Sequence, residues 1–205
     1  LVTSGMEFAS EMVIRSGLES LRMTEVPTTL SVDGRSRPPH LKTWRDGWRH
    51  LKLLLMYSPK WLFVFPGLVL LAMGAALMAL LWVGPFAISQ NLVLDSNSYA
   101  AACFMAIAGT QLLSFGVIAR NYASLTGMLP RGARSDLIAR IATTDTVVRV
   151  GGVVLAIGVA IFAYAVWAWS KVGFGDLTGM PHIPRAVMSG LSFIVIAIQL
   201  GFGAF

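Results

Sequence analysis

The chain has 205 residues, 56% of them hydrophobic and only 13% charged, and its formal net charge is +6. It is too apolar for one water-soluble domain and has the balance of a protein that crosses a membrane several times. The basic residues sit beside apolar runs rather than on a separate basic module, which disfavours nucleic acid and points to anionic lipid.

In residues 1–39, Ser4 and Glu7 have the spacing of a capping box. Met6, Ala9 (or Phe8), Met12 and Val13 then recur at helical spacing, so a helix is predicted from about Gly5 to Ser16, with Gly17 as its stop. From Met23 to Val32 the pattern alternates and β-branched residues dominate, which predicts a strand; Pro27 restricts it to an edge or a strand start. One helix and one strand cannot close a core alone. The first residue is Leu, no leader peptide is visible and the last apolar run reaches the final residue, so the chain is expected to be part of a longer protein.

Residues 40–58 read as an interfacial amphipathic helix. Trp44, Trp48, Leu51 and Leu55 share one helical face, and Lys42, Arg45, Arg49 and Lys52 lie off it. Such a helix suits a bilayer surface, and Pro59 ends it before the first span. Residues 60–205 form a four-span membrane domain, with spans at about 61–82, 99–118, 150–169 and 186–205. Trp61 and Trp82 place an aromatic at each rim of the first span, and Pro66 falls in its first turns.

The connections set orientation. Pro85 to Ser98 carries no Lys or Arg, the 120–149 connection carries Arg120, Arg131, Arg134, Arg140 and Arg149, and the 170–185 connection carries Lys171 and Arg185. Residues 1–60 hold nine Lys and Arg. Residues 1–60 and 120–149 are therefore expected on the cytoplasmic side of a cytoplasmic (inner) membrane. Ser135 and Asp136 are placed to cap a short amphipathic helix through Leu137, Ile138 and Ile141.

Two runs of small residues at four-residue spacing, Ala102, Ala106, Thr110, Ser114 and Gly152, Ala156, Ala160, are expected to be packing faces. Gln111 and Gln199 lie within spans, but no Asp, Glu, Lys or Arg does, which argues against an ion-coupled pump. Cys103 is the single cysteine, so it forms no intrachain disulfide and reads as a small buried residue. His40 and His50 have no third ligand nearby, and His182 is isolated. No catalytic motif is complete.

The blocks GMEFASEMVIRSG, EVPTTL, DGRSRPPHL and WRDGWRHLKLLLMYSPKWLF follow one another over residues 5–63. In that order they resemble the C-terminal end of the catalytic domain of bacterial family 2 glycosyltransferases, in the dolichol-phosphate-mannose-synthase-like or polyprenyl-phosphate branch. The fold class implied is mainly α: four transmembrane helices, preceded by a juxtamembrane helix and, in residues 1–39, the C-terminal remnant of a GT-A-like α/β domain. The resemblance implies transfer of a sugar from a nucleotide-sugar to polyprenyl phosphate at the cytoplasmic leaflet, with Mg2+ or Mn2+ held by carboxylates that lie upstream of Leu1. Gly34-Arg35-Ser36-Arg37 fits the family's G-x-S-K/R block, which implies phosphate contacts from Arg35, Ser36 and Arg37. Ser31, Val32 and Asp33 occupy a region where related members carry a further Arg. Glu7 and Glu11 are weak candidates for an acceptor-side carboxylate, against a capping box for Glu7 and a solvated face for Glu11. The partners implied are the bilayer with its anionic lipids, polyprenyl phosphate, a nucleotide-sugar and a second copy of the chain. The alternative is a non-enzymatic four-span scaffold, or a subunit that helps lipid-linked sugar to cross the bilayer.

Overall fold

The computed structural model describes residues 5, 7–29, 34, 42–127, 129, 143–177 and 179–204. Among these, helix α1 (Phe8–Leu18) is followed by α2 (Thr43–Tyr57), a π-helical turn (Lys60–Val64), α3 (Phe65–Leu81), a two-stranded hairpin of β1 (Phe86–Ser89) and β2 (Leu92–Leu94), α4 (Ser96–Leu125), α5 (Thr144–Lys171) and α6 (His182–Gly203). Four stretches are long and apolar enough to cross a membrane: Lys60–Leu81, Ser96–Leu125, Thr144–Lys171 and His182–Gly203. The shorter two have 22 residues, a length of about 33 Å at 1.5 Å per residue that matches a hydrocarbon layer about 30 Å thick. The protein is a mainly α, multi-pass membrane protein.

The four membrane helices form two antiparallel hairpins, α3 with α4 and α5 with α6, and α4 joins them by packing on α6. The reason lies in small residues repeated every seven positions. Buried positions include Gly67 and Gly74 on α3, Ala102, Gly109, Gly116 and Ala123 on α4, Gly151, Gly158 and Ala165 on α5, and Gly190 and Ala197 on α6. A seven-residue spacing keeps one seam facing its partner along the whole helix, as in a left-handed coiled coil. Without side chains at these points the backbones come close. A Cβ added at Gly109 would lie 2.5 Å from the Leu71 amide nitrogen, and one at Gly158 would lie 2.9 Å from the Gly190 carbonyl. Close approach of this kind replaces hydrophobic drive in lipid, where apolar side chains gain nothing by leaving the solvent.

The structure corrects several expectations. Gly152, Ala156 and Ala160 do not form a packing face; all three are exposed, and the buried face of α5 is the seven-residue one. Of the run on α4, Ala102 and Ala106 are buried, while Thr110 and Ser114 are half-buried and donate to carbonyls one turn back in their own helix, at 2.9 and 3.0 Å. Residues 21–29 are exposed and form no strand, because no second strand stands beside them among the described residues. Glu7 is the N-cap of α1 and makes no side-chain cap bond. Past Gly17, α1 ends at Leu18, and Ser20 takes the left-handed conformation (φ 54°) while the Leu21 amide donates back to the Ser16 carbonyl. The amphipathic segment expected around Leu137 lies outside the described residues.

The β1–β2 hairpin was not foreseen. It joins α3 to α4 with Phe86 opposite Leu94 and Ala87 opposite Val93, and a bulge lies between Ala87 and Ser89. Gln90 and Asn91 form the turn.

Candidate functional site

Of the residues singled out as candidates for chemistry, Glu7 and Glu11 belong to the cap and body of α1, which meets α2. Helical geometry gives α2 two faces. Trp44, Trp48, Leu51 and Leu55 form one; Asp46, His50, Leu53 and Tyr57 lie about half a turn away. That second face meets α1. Leu53 is buried, His50 Nε2 stands 3.4 Å from Ser10 Oγ, and Arg15 Nε donates to the Tyr57 hydroxyl at 3.4 Å. The first face has no such cover: Trp44 is 92% exposed and Trp48 59%. Asp46 Oδ2 accepts from the Lys42 amide at 2.9 Å and so closes the first turn. Lys42, Arg45, Arg49 and Lys52 are all exposed beside the apolar stripe.

Glu11 is not on a solvated face. It is 1% exposed, and its Oε1 lies 3.3 Å from Arg15 Nε one turn along α1. Arg15 is raised above its ordinary value, first by its hydrogen bond to Tyr57 and then by the charges of Tyr57, Glu11 and Glu19. A raised cation contributes stability that is lost only as pH rises through the folded value, beyond the ordinary arginine range, so it has no physiological pH window. Glu7 is half-buried at the start of α1. Arg35, Ser36 and Arg37 lie outside the described residues, as does His40; Gly34 is exposed. Glu11 is thus linked to α2 through Arg15 and Tyr57. Among the described residues no group of three or more His, Cys, Asp or Glu stands close enough to hold a metal ion.

A second cluster lies at the opposite end of the bundle, where α4 and α6 both begin. Arg185 was expected as a loop charge. It is instead in the first turn of α6 and fully buried. Its Nη2 donates to Asp95 Oδ1 at 2.7 Å and its Nη1 to the Pro181 carbonyl at 3.3 Å; Nε has no partner. Asp95 is the N-cap of α4, so the pair ties the starts of two helices together. One turn deeper, the Tyr99 and Ser189 hydroxyls share a 2.5 Å hydrogen bond. Below them Cys103 is buried, as expected. Sequence reasoning missed this cluster. The only signal was an Asp immediately before one span and an Arg at the start of another, and pairing them requires knowing that α4 and α6 are neighbours.

Residues 117–205 match the family described as the glycosyltransferase family 2 C-terminal transmembrane region. The chain is also 29% identical to the low-salt glycan biosynthesis hexosyltransferase Agl6 of Haloferax volcanii over 206 residues, which is 99% of this chain and 47% of that relative. It thus spans about half the length of the curated relative it matches, and that relative is archaeal rather than bacterial. No solved structure gives a significant match. The matched stretch takes in the last turns of α4, α5 and α6, and it is similar to the C-terminal transmembrane region of family 2 glycosyltransferases.

Proposed function

We propose that this chain is the membrane-anchoring part of an enzyme that moves a sugar from a nucleotide-sugar to polyprenyl phosphate at the cytoplasmic leaflet. The observation that carries this reading is α2. It is a basic helix with an uncovered Trp and Leu face, it stands immediately before the first span, and it belongs to a chain with a family 2 membrane region. A helix of that kind lies at the headgroup layer, with its stripe in the acyl boundary and its cations on anionic lipid. A lipid phosphate is confined to the same plane. Holding both reactants there lowers the entropy cost of bringing them together, and this is what the 205 residues contribute.

In this proposal residues 1–39 are the end of a GT-A-like catalytic domain, 40–58 the interfacial helix and 60–205 the membrane domain. Residues 1–60 and 120–149 face the cytoplasm, since they hold most of the Lys and Arg. Arg35, Ser36 and Arg37 contact a diphosphate or lipid phosphate, because arginine forks match phosphate oxygens. Glu11 works through structure: its pairing with Arg15 at the α1–α2 contact favours a positioning role over a carboxylate on the acceptor. Mg2+ or Mn2+ supplies charge stabilisation to the departing nucleotide in such enzymes. The carboxylates for it lie outside this chain in the proposal.

A screen of nucleotide-sugars tests the proposal, using the full-length protein in vesicles with a short polyprenyl phosphate. Sugar transfer to the lipid is expected from one donor class, and no transfer from any donor would overturn it. Residues 1–205 alone are expected to give none. In the full-length protein, Arg37→Ala is expected to lower transfer by tenfold or more; unchanged activity removes Arg37 from the phosphate contact.

A further inference from the structure

The chemistry of the β1–β2 hairpin is unusual for a loop between two spans. Between Trp82 and Asp95 there is no charged residue. Phe86, Ile88, Leu92 and Val93 are each between 45% and 57% exposed. Cross-strand pairing puts Phe86 and Leu94 on one face, and Leu94 rests on the cluster of Leu81, Tyr99 and Cys103 that closes the bundle. The hairpin is therefore seated against the end of the helices. Along the chain its apolar surface follows the exposed Trp82 and Val83 at the end of α3, while Asp95 and Asn97 are exposed where α4 begins.

We infer that this hairpin is a membrane-surface element, lying in the headgroup layer of the leaflet opposite α2. Three observations fix the occupant as lipid. The first is continuity: Leu80 and Trp82 at the end of α3, and Phe104 on α4, are exposed on helices that cross the bilayer. The second is the backbone. A two-stranded sheet has open hydrogen-bonding edges, which hydrocarbon cannot satisfy but the hydrated headgroup layer can. The third is a matching aromatic at the same end of the other hairpin. Phe174, just past α5, is 58% exposed and holds its φ at 59°, an uncommon conformation for a bulky residue, while its ring packs edge-on against Trp169 at 5.2 Å. Trp82, Phe86 and Phe174 thus form an aromatic rim at this end. The polar turn Gln90–Asn91 is the part that faces water. Because the hairpin carries no charge, its seating does not depend on anionic lipid, in contrast to α2.

Nitroxide labels test this in the intact protein, with Cys103→Ala as background and Ile88→Cys or Asn91→Cys as label site. The protein is placed in vesicles of phosphatidylcholine alone, or of phosphatidylcholine with phosphatidylglycerol. The ratio of oxygen to nickel-chelate accessibility is expected to be several-fold higher at 88 than at 91, and equal in the two lipid mixtures. Equal ratios at the two sites would overturn the inference. So would spin–spin broadening at 88 that disappears on dilution with unlabelled protein, which would assign the surface to a second copy. The unmodified protein gives an independent check in vesicles containing a photoactivatable lipid with its reactive group near the headgroup. Crosslinks are expected in the peptide spanning Phe86–Leu94, and their absence there, with crosslinks present on α3, would overturn the inference.

Discussion

The two helical hairpins and the seam between them are held by different means. Within each hairpin the contact is made mainly of absences: glycines at seven-residue spacing let backbone meet backbone, and the bond from Thr144 Oγ1 to the Ala204 carbonyl at 3.1 Å lies at the exposed open end of α5 and α6. Between the hairpins, α4 meets α6 through a buried arginine, a carboxylate and a pair of hydroxyls. The difference follows from chain connectivity. Helices that follow one another directly in the chain are already held side by side, so shape does most to set their register. The parallel helices α4 and α6 have a whole antiparallel partner between them in sequence, and directional polar bonds select their neighbour and depth. In lipid such bonds have no water to compete with, although their measured worth is modest.

The largest effect that would break this comparison is expected at Asp95. In Asp95→Ala, Arg185 stays buried with only the Pro181 carbonyl to meet it, and the loss is expected to be about 3–5 kcal/mol. Arg185→Met should cost less, about 1–2 kcal/mol, because the Asp95 side chain is 54% exposed and returns to water. Unfolding titrations in mixed detergent measure both, and equal losses would mean that the burial of Arg185 does not govern the seam.

Gly109→Ala sharpens the other side. Its new Cβ meets backbone on α3, which has no rotamer to give way, so a loss of about 1–3 kcal/mol is expected. Gly152→Ala is the control, since nothing lies within 4 Å of its Cβ. It should gain up to about 1 kcal/mol from helix propensity. The smallest effect is Tyr99→Phe, which removes one hydroxyl from the seam and should cost about 0.6–1 kcal/mol.

The spans were legible in the sequence because apolar length is a property of each segment alone. So was α2, whose stripe of Trp44, Trp48, Leu51 and Leu55 is a local pattern. What depended on partners was not legible. A four-residue spacing of small residues on α5 suggested a packing face, but an antiparallel hairpin uses seven, so Gly151 and Gly158 pack while Gly152 and Ala156 face outward. Ser89 and Leu92 flank a two-residue turn in a hairpin pattern, yet the apolar runs on either side masked it. Glu11 looked solvated from its own helix but is buried, paired with Arg15, which in turn bonds Tyr57 of α2. Arg185 counted as a positive loop residue until its neighbour was known.

The account rests on which side of the membrane each end of the bundle occupies. The direct test introduces Thr28→Cys or Asn91→Cys, one at a time, into the intact protein with its buried Cys103 retained, and labels cells and inverted vesicles with a membrane-impermeant maleimide. The account predicts that position 28 reacts only in inverted vesicles and position 91 only in intact cells. Labelling of position 28 from outside the cell would contradict it, because the α2 surface would then face away from the nucleotide-sugar.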